Sequence, residues 1–343
     1  MSKSITTAEK TIKIIDNAET VTTFGATEQF ALDVLVGLSE TRKTLSSKYM
    51  YDDEGSRLFK QITQLDEYYP TRCERNILEI HKEAIGEFVK GEPFNLVEFG
   101  SGDGHKTNIL LEHFQKEKLD FRYVPIDISH QAIEEQMHDL TTRYPDLSVN
   151  GLVSDYFTGI KWLNSNSRRR NLVLFLGSNI GNFNHAGART FLRNLWSSLH
   201  NNDMVLIGFD LKKDIEMLLA AYNDSQGITS KFNLNVLNRI NRELGGHFKL
   251  DCFRHFGTYD VFSGAMESYL VSLRRQEVFI DHIGRSFHFR PWEPIHLEYS
   301  YKYLKADIKM LAMETGYEVL DNFSDASDYF IDSVWRVIKA DHQ

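Results

Sequence analysis

Residues 95–104 read Asn95-Leu96-Val97-Glu98-Phe99-Gly100-Ser101-Gly102-Asp103-Gly104, a short apolar run that passes into a glycine-rich turn. The run predicts a buried β-strand, and the spacing of apolar residues from 106 to 119 predicts a helix. A tight turn between such a strand and helix is typical of a βα unit in a parallel sheet, where backbone amides at the helix N-terminus face a ligand. We therefore expect a ligand at the carboxyl end of this strand.

The sequence after this unit repeats the same alternation of strand and helix up to Leu211. Further strands are predicted at 123–126, 147–153, 172–176 and 204–208. A helix capped by Ser129 is expected after the second strand, and another helix, which buries residues 192, 195, 196 and 199, after the fourth. This alternation indicates an α/β domain around a parallel sheet.

Beyond Leu211 the pattern changes to helices and alternating strands. Helices are predicted at 215–222 and 232–244, and strands with a period of two at 248–252, 268–273, 277–281, 285–289 and 295–301. Strands with this period suit an antiparallel sheet with one wet face. The tail returns to a helix at 303–315 and strands at 317–320 and 329–338. We expect an α/β domain formed by residues 73–211 and 302–343, interrupted by an α+β domain formed by residues 20–72 and 212–301.

Three strand ends carry residues that suit one cofactor. The glycine spacing is G-x-G-x-G, which favours the amino-acid end of S-adenosylmethionine over the pyrophosphate of a dinucleotide. Asp127 ends the second strand, where a carboxylate accepts hydrogen bonds from a ribose, and Asp155 and Tyr156 follow the third, placed for the adenine. Lys106 is a candidate partner for the methionyl carboxylate. Singly, a turn, a helix cap or an exposed lysine explains each residue; together they favour the cofactor.

Several strings of residues give the chain a family resemblance from about residue 48 onward. They are Lys48-Tyr49-Met50-Tyr51-Asp52, Glu67-Tyr68-Tyr69-Pro70-Thr71-Arg72, the glycine loop, Leu176-Gly177-Ser178-Asn179-Ile180-Gly181-Asn182 and Arg239-Ile240-Asn241-Arg242-Glu243-Leu244. The chain resembles the histidine Nα-methyltransferases of the ergothioneine pathway. The resemblance implies S-adenosylmethionine-dependent trimethylation of the α-amine of L-histidine to hercynine, the first step of that pathway. It also implies a Rossmann-like class I methyltransferase domain with an inserted α+β substrate-binding domain.

The resemblance also assigns site residues. The cofactor contacts it implies are at Tyr51, Gly100, Lys106, Asp127 and Asp155; Gly102 and Tyr156 join them because of their places in the loop and at the strand end. The contacts it implies with the amino and carboxylate groups of the substrate are at Tyr68, Gly177, Asn182 and Tyr222. The imidazole contacts it implies are at Glu298 and Ser300.

The substrate residues also have a chemistry of their own. Glu298 and Ser300 are two apart on a predicted strand, so their side chains share a face and suit the two ring nitrogens of an imidazole. The wet face of an antiparallel sheet explains the same pair. The amide of Asn182 both donates and accepts, although helix capping is the alternative, since Asn184 also precedes a helix. Tyr222 lies on an apolar stripe and by default is a core residue.

Methyl transfer to an amine is an in-line displacement that needs orientation of the reactants and no metal. The amine must first lose a proton, and Tyr51, Tyr68 or a water held by them is a candidate relay. The same rings suit a quaternary ammonium product, which is held by cation–π attraction. We therefore expect Tyr51 and Tyr68 to be catalytic and expect no metal site.

One position departs from the pattern of the better-known relatives. They carry methionine near the substrate, where this chain has Ser268, and Met266 stands nearby to fill the space. The alternatives that remain open are an Nα-methyltransferase of another amino acid or small amine, a catalytically silent S-adenosylmethionine-binding protein, and a nicotinamide-dependent dehydrogenase.

Composition limits the partners and the compartment. The chain has 343 residues and a net charge of −9, which argues against nucleic acid as a partner. Its two cysteines, Cys73 and Cys252, match no metal or redox spacing and suit a reducing compartment. No apolar leader or membrane-length apolar run occurs, and the first twenty or so residues are polar and expected to be disordered. We expect a cytoplasmic monomer that acts on a small molecule and not at a membrane.

Overall fold

The computed structural model describes residues 10–15, 25–100, 104 and 106–339. The chain divides into two compact units, each formed by segments that are distant in sequence. Of the described residues, the first unit holds 10–15, 73–211 and 303–339, and the second holds 25–72 and 212–302.

The elements follow one another in this order. The first part contains β1 (Lys10–Ile14), α1 (Ala26–Ser39), α2 (Asp53–Ile62), α3 (Tyr69–Glu87), β2 (Phe94–Phe99), α4 (Thr107–Lys116), β3 (Phe121–Asp127), α5 (His130–Arg143), β4 (Val149–Val153) and α6 (Tyr156–Asn166). The middle contains β5 (Arg170–Phe175), α7 (His185–Ser198), β6 (Met204–Asp210), α8 (Ile215–Tyr222) and α9 (Ile228–Leu244). The last part contains β7 (Phe253–Asp260), β8 (Ala265–Ser272), β9 (Gln276–Ile280), β10 (Arg285–Phe289), β11 (Pro294–Tyr301), α10 (Lys305–Thr315), β12 (Tyr317–Ser324) and β13 (Phe330–Val337).

Within its described residues, the first unit is built on an eight-stranded sheet of order β1-β4-β3-β2-β5-β6-β13-β12. Neighbouring strands from β1 to β6 pair in parallel. At one edge of the sheet, β13 pairs antiparallel with β6, and β12 pairs antiparallel with β13. The expected Rossmann-like α/β sheet is thus confirmed. Every residue of β2 and of β6 is buried, as expected for apolar strands covered on both faces. The chain progresses from β2 to one side through β3 and β4, and to the other through β5 and β6. The carboxyl end of β2 is therefore the switch point at which such sheets bind ligands.

The amino-terminal strand β1 lies within the residues expected to be disordered, and that expectation is wrong for this segment. It pairs in parallel with β4, from Lys10 opposite Val149 to Ile14 opposite Val153. The Ile15 amide extends the ladder to the Val153 carbonyl at 3.0 Å. Pairing with the edge of β4 satisfies backbone N–H and C=O groups that would otherwise bond to water. The polar sequence of this segment does not reveal a strand partner so far away in the chain.

The second unit surrounds a core of helices and antiparallel strands. Its described strands form a three-stranded sheet of order β11-β8-β7 and the two-stranded pair of β9 and β10. Helix α9 supplies Phe232, Val236, Leu237 and Ile240 to a core that also takes residues from α1, α2 and the strands. The inward side chains of β11 and β8 are therefore held by packing.

The strand predicted at 248–252 is wrong. The structure has a 3-10 turn at Leu250–Cys252, closed by the Cys252 amide on the Lys249 carbonyl at 2.9 Å, and β7 begins at Phe253. The side chain of Asn241 bonds both the amide and the carbonyl of Phe248, at 2.9 and 2.8 Å. A side chain thus replaces the strand partner that the alternating pattern indicated.

Candidate active site

The glycine loop begins where β2 ends. Gly100 has φ +64° and Gly104 has φ +66°, in the left-handed region that favours glycine. The ring of Tyr156 stacks on Phe99 with 4.5 Å between centroids, and a Cβ on Gly100 would lie 2.7 Å from the Tyr156 hydroxyl oxygen. Gly102 lies outside the described residues. The structure thus brings Gly100 and Tyr156 together around backbone that a side chain would obstruct.

Asp127 is the last residue of β3, beside β2 in the sheet. Its Oδ1 accepts a hydrogen bond from the Ser129 amide at 2.9 Å, and burial raises the pKa of the carboxyl. The cap of α5 is the Ser129 side chain, which accepts from the Ala132 amide, as predicted. Asp127 is therefore not that cap. The neighbouring Ile128 is 76% exposed, which leaves an apolar surface next to the carboxylate.

Asp155 is the N-cap of α6. Its Oδ1 accepts from the amides of Phe157 and Thr158 at 3.1 and 3.0 Å. Tyr156 begins the helix, and burial, together with Asp127 and Glu98, raises its pKa to about 12. Its hydroxyl is therefore neutral at physiological pH. Capping of α6 was not foreseen, and it places these two residues beside the carboxyl end of β4.

Lys106 and Gly177 meet at one buried carboxylate, that of Glu74. The Lys106 ammonium pairs with Glu74 Oε2, and the Gly177 amide donates to Glu74 Oε1 at 2.6 Å. Burial lowers the pKa of Lys106, but Glu74 outweighs burial and the pKa is raised. Asp332, fully buried on β13, has no hydrogen-bond partner among the described residues, and its pKa is well above normal because of burial and Glu74. One cation thus interacts with two carboxyl groups.

Glu74 and Asp332 were missed from the sequence. Glu74 stands three and four residues before Ile77 and Leu78, both fully buried, so a carboxylate on the apolar stripe of α3 was the available signal. Asp332 lies within the largely apolar strand β13, opposite Gly208 of β6. A charged residue inside an otherwise apolar strand is the signal that the sequence offers for such a buried carboxyl group.

Asn182 ends a 3-10 helix, Asn179–Asn182, after β5. The turn before it is strained, since Gly177 has φ +80° and Ser178 has φ +56°. The cap of α7 is Asn184, which accepts from the Gly187 amide at 2.8 Å. Helix capping thus does not explain Asn182, which lies on the same strand-end segment as Gly177.

In the second unit, Tyr222 and Ser300 come together at Lys302. The Tyr222 hydroxyl donates to Ser300 Oγ at 2.7 Å, and the Lys302 ammonium donates to Tyr222 Oη at 2.9 Å and to Ser300 Oγ at 2.8 Å. Lys302 is only 2% exposed. This residue was not predicted from the sequence, although it stands two residues after Ser300 in an alternating pattern, which indicates that it shares a face with Ser300.

Tyr222 is positioned by a neutral histidine on β7. Asn233 donates to His255 Nδ1 at 2.7 Å, so Nε2 carries the proton and donates to the Tyr222 carbonyl at 2.9 Å. Burial lowers the pKa of His255, which keeps the ring neutral. The end of α8 is thus tied to the sheet that carries Ser300.

Glu298 lies on the same face of β11 as Ser300. Burial raises its pKa to about 7, against the smaller opposing effect of the Lys302 charge. In the pairing with β8, Ser268 stands opposite Glu298 and Met266 stands opposite Ser300. Directly opposite residues share a face of a sheet. Ser268, the position expected to correspond to the relatives' methionine, is therefore a neighbour of Glu298.

Aromatic rings border these polar groups. Tyr51 packs edge-on against Phe59 and Phe232, at 5.5 and 5.3 Å between centroids, and Tyr68 packs against Phe59 and Tyr222, at 6.2 and 6.4 Å. Although 41% of the Tyr51 surface is exposed, burial of its hydroxyl, with Glu298 and Tyr222, raises its pKa well above normal. The structure thus brings Tyr51, Tyr68 and Tyr222 into one cluster with Glu298.

In the part of the chain that the structure describes, no group of three or more His, Cys, Asp or Glu side chains is arranged to hold a metal ion. None of the described helices is long and apolar enough to cross a membrane.

Comparison with known proteins places these features in a family. Residues 30–337 match the family model described as histidine-specific methyltransferase, SAM-dependent. Histidine N-alpha-methyltransferase of Mycolicibacterium smegmatis is 34% identical over 85% of this chain and 89% of that protein. Ergothioneine biosynthesis protein 1 of Schizosaccharomyces pombe is 30% identical over 87% of this chain, but the match spans only 40% of that longer protein.

Among solved structures, mitomycin 7-O-methyltransferase is matched at a TM-score of 0.44 and 11% identity, over 92% of this chain and 69% of that one. The cofactor of the matching family is the one expected from the glycine loop and the acidic strand ends. The chain is an enzyme and belongs to the family of histidine-specific, S-adenosylmethionine-dependent methyltransferases.

Proposed function

We propose that this enzyme transfers three methyl groups to the α-amine of L-histidine to give hercynine, the first step of ergothioneine biosynthesis. The observation that carries the choice of histidine is the pair of Glu298 and Ser300 on one face of β11, a carboxyl and a hydroxyl beside each other. Together they offer partners for the two ring nitrogens. The names of the mycobacterial and fission-yeast relatives support the same substrate and pathway.

The first unit has the features that S-adenosylmethionine requires. Because Gly100 has no side chain, its backbone stays accessible where a Cβ would approach Tyr156. Asp127 offers a carboxylate at the end of β3 for the ribose, and Asp155 and Tyr156 lie after the end of β4, where they suit the adenine. When bound, the cofactor supplies an electrophilic methyl group on a sulfonium. These residues hold and orient it.

Lys106 has a more limited role than a free cation would have. Its ammonium is held by Glu74, which also takes the Gly177 amide. The methionyl carboxylate would share this ammonium with Glu74, and burial together with Glu74 raises the pKa of Asp332, which disfavours a further negative charge beside them. We assign Gly177 the role of shaping the loop that leads to Asn182, because its amide is already bonded.

The substrate amine must be neutral before each transfer. The raised pKa of Tyr51 keeps its phenol protonated, so Tyr51 does not act as a phenolate base. We assign to Tyr51 and Tyr68 the orientation of the amine, whose proton leaves through water that their hydroxyl oxygens bind. Asn182 supplies an amide that both donates and accepts for the amino and carboxylate groups.

The aromatic cluster of Tyr51, Tyr68, Phe59 and Phe232 suits the product of each round. As methyl groups accumulate, the nitrogen loses its N–H donors and finally holds a permanent positive charge. Aromatic faces attract such a cation without hydrogen bonds. The cluster therefore supports continuation to the trimethylated product.

A second candidate substrate is another amino acid with a wider side chain. It is favoured by Ser268, a small polar residue directly opposite Glu298. Met266, 1% exposed and opposite Ser300, occupies the next position on the same face. The space beside Glu298 thus exceeds what a methionine at position 268 would leave.

The test is methylation of histidine by the purified chain, followed by mass spectrometry. We expect mono-, di- and trimethylhistidine with S-adenosylmethionine present, and loss of most activity in Glu298→Ala but not in Glu277→Ala, an exposed strand residue of the same unit. A panel of free amino acids under the same conditions tests the second candidate. Absence of methylated histidine, or full histidine affinity in Glu298→Ala, would contradict the assignment.

A further inference from the structure

The triangle formed by Lys302, Ser300 and Tyr222 has a fixed arrangement of protons. An ammonium has no lone pair, so Lys302 can only donate, to Ser300 Oγ at 2.8 Å and to Tyr222 Oη at 2.9 Å. A buried ammonium is tolerated only when such bonds replace water, and Lys302 is 2% exposed. Lys302 therefore supplies one donor to each of the two hydroxyl oxygens of the triangle.

The proton of Tyr222 is also assigned. Its hydroxyl donates to Ser300 Oγ at 2.7 Å, as expected because a phenol is more acidic than an alcohol and is the better donor. Ser300 Oγ thus accepts two hydrogen bonds, which occupy both lone pairs of a hydroxyl. Its own proton must point elsewhere, and among the described residues no protein group accepts it.

We propose that Lys302 is a positioning residue that makes Ser300 a donor only, so that the site selects the neutral imidazole of histidine. Ser300 then requires a ring nitrogen with a lone pair, and Glu298 on the same face accepts the N–H of the other nitrogen. An imidazolium presents two N–H groups and leaves the Ser300 proton unpaired. The inference rests on the proposed function and adds which protonation state of the imidazole ring the site binds.

The surroundings support this arrangement. Among the described residues, the charged and titratable groups that interact with members of the triangle include Glu298 on β11, Tyr51 before α2, Tyr68 before α3 and His255 on β7, which is neutral and bonded to the Tyr222 carbonyl. Lys302 lowers the pKa of Glu298 and so favours the carboxylate that accepts the N–H. The same positive charge disfavours a second cation on the ring.

The test compares histidine with alanines that carry a pyrrole ring, in which C–H replaces the acceptor nitrogen. Both pyrrole isomers are assayed with the wild type, Lys302→Met, Tyr222→Phe and the control Lys249→Met, an exposed lysine of the same unit. In the wild type, kcat/KM for histidine should exceed that of the better isomer by on the order of 10²-fold or more, because the buried Ser300 proton loses its partner.

In Lys302→Met, the Tyr222 oxygen becomes free to accept the Ser300 proton, and we expect the preference for histidine to fall to about tenfold or less. The loss should appear in KM for histidine, with kcat little changed, because the ring is held equally in the ground and transition states. Tyr222→Phe removes the second donor to Ser300 but keeps Lys302, and it should also reduce the preference for histidine over the pyrrole analogues. Lys249→Met should keep the wild-type ratio.

An unchanged ratio of kcat/KM for histidine to that for the better pyrrole analogue in Lys302→Met would overturn the inference. A purely structural role of Lys302 would lower kcat/KM for both substrates equally and leave this ratio unchanged. If Lys302→Met does not fold, as judged by circular dichroism, an unchanged ratio in Tyr222→Phe overturns it instead. A wild type that fails to methylate histidine overturns the proposed function as well. A wild type that methylates histidine, with ratios unaffected by these variants, overturns the inference alone.

Discussion

The carboxyl group of Glu298 connects substrate recognition to stability. Burial raises its pKa from 4.5 to about 7. Between these values the folded state holds a proton that the unfolded state has lost, so the free energy of unfolding falls as pH rises from about 4.5 to 7. The total is on the order of 3 kcal/mol, since each pKa unit corresponds to about 1.4 kcal/mol. We predict that Glu298→Gln removes this part of the pH dependence, measured by urea unfolding at pH 5, 6, 7 and 8.

The matched control is Glu277→Gln, which changes an exposed strand glutamate of the same unit. It should leave the difference in unfolding free energy between pH 5 and pH 8 as in the wild type. If Glu298→Gln and Glu277→Gln show the same pH profile, Glu298 does not carry the raised pKa.

Single residues differ in how far sequence alone predicts their role. Glu298 and Ser300 were predicted to share a face because two-residue spacing on a strand fixes direction, and the pairing with β8 places both on one face. Lys302 was missed because its role depends on Tyr222, 80 positions away in sequence. Glu74 was missed because it meets Gly177 from a helix 103 positions earlier.

At the scale of elements, the N-terminus of α6 has both a structural and a proposed binding role. Asp155 caps the helix through the amides of Phe157 and Thr158. Loss of an N-cap costs about 1 kcal/mol, so Asp155→Ala should lower stability by that amount. It should also weaken binding of S-adenosylhomocysteine by about tenfold, measured by calorimetry, because the proposed adenine contact is lost.

Asn184→Ala is the control, since Asn184 caps α7 in the same way. It should cost a similar free energy of unfolding while cofactor affinity stays within twofold of the wild type. An equal loss of affinity in both variants would mean that Asp155 acts only through the stability of the unit.

The elements that sequence predicted best are those whose burial fixes their pattern. Strands β2, β5 and β6 are apolar because both faces are covered, and their positions agree with the predicted runs to within a few residues. The misses depend on contacts made elsewhere. Strand β1 exists because β4 offers an open edge, and the turn at Leu250–Cys252 replaces a strand because the side chain of Asn241 bonds Phe248.

At the scale of the whole molecule, the longer segment of the second unit, residues 212–302, is inserted into the first unit directly after β6. Leu211 forms a bridge with Tyr303, and the Tyr303 amide donates to the Asp210 carbonyl at 2.9 Å. The chain therefore leaves the sheet after β6 and re-enters beside the same residues. Such close ends allow an inserted segment to fold without disturbing the host sheet, which explains why the period of the sequence changes abruptly after residue 211.

The proposed cofactor contacts at the strand ends of the first unit and the proposed imidazole contacts on β11 of the second predict two separate patterns of hydrogen exchange. S-adenosylhomocysteine alone should slow exchange at the end of β3 and in the first turns of α4 and α6. Hercynine alone should slow exchange in β11 and at the end of α8. Gly100→Ala should abolish the first pattern and keep the second, because an alanine at φ +64° is strained and its Cβ would lie 2.7 Å from the Tyr156 hydroxyl oxygen.

Gly91→Ala separates strain from obstruction in this experiment. Gly91 has φ +93°, but a Cβ there meets no atom within 4 Å. Alanine at either position costs about 1 kcal/mol or more of folding free energy through backbone strain, yet only position 100 blocks the approach of a ligand to the backbone. Gly91→Ala should therefore keep both exchange patterns. If it loses the S-adenosylhomocysteine pattern as well, or if that ligand slows exchange mainly in residues 212–302 of the wild type, the cofactor is not held by the glycine loop of the first unit.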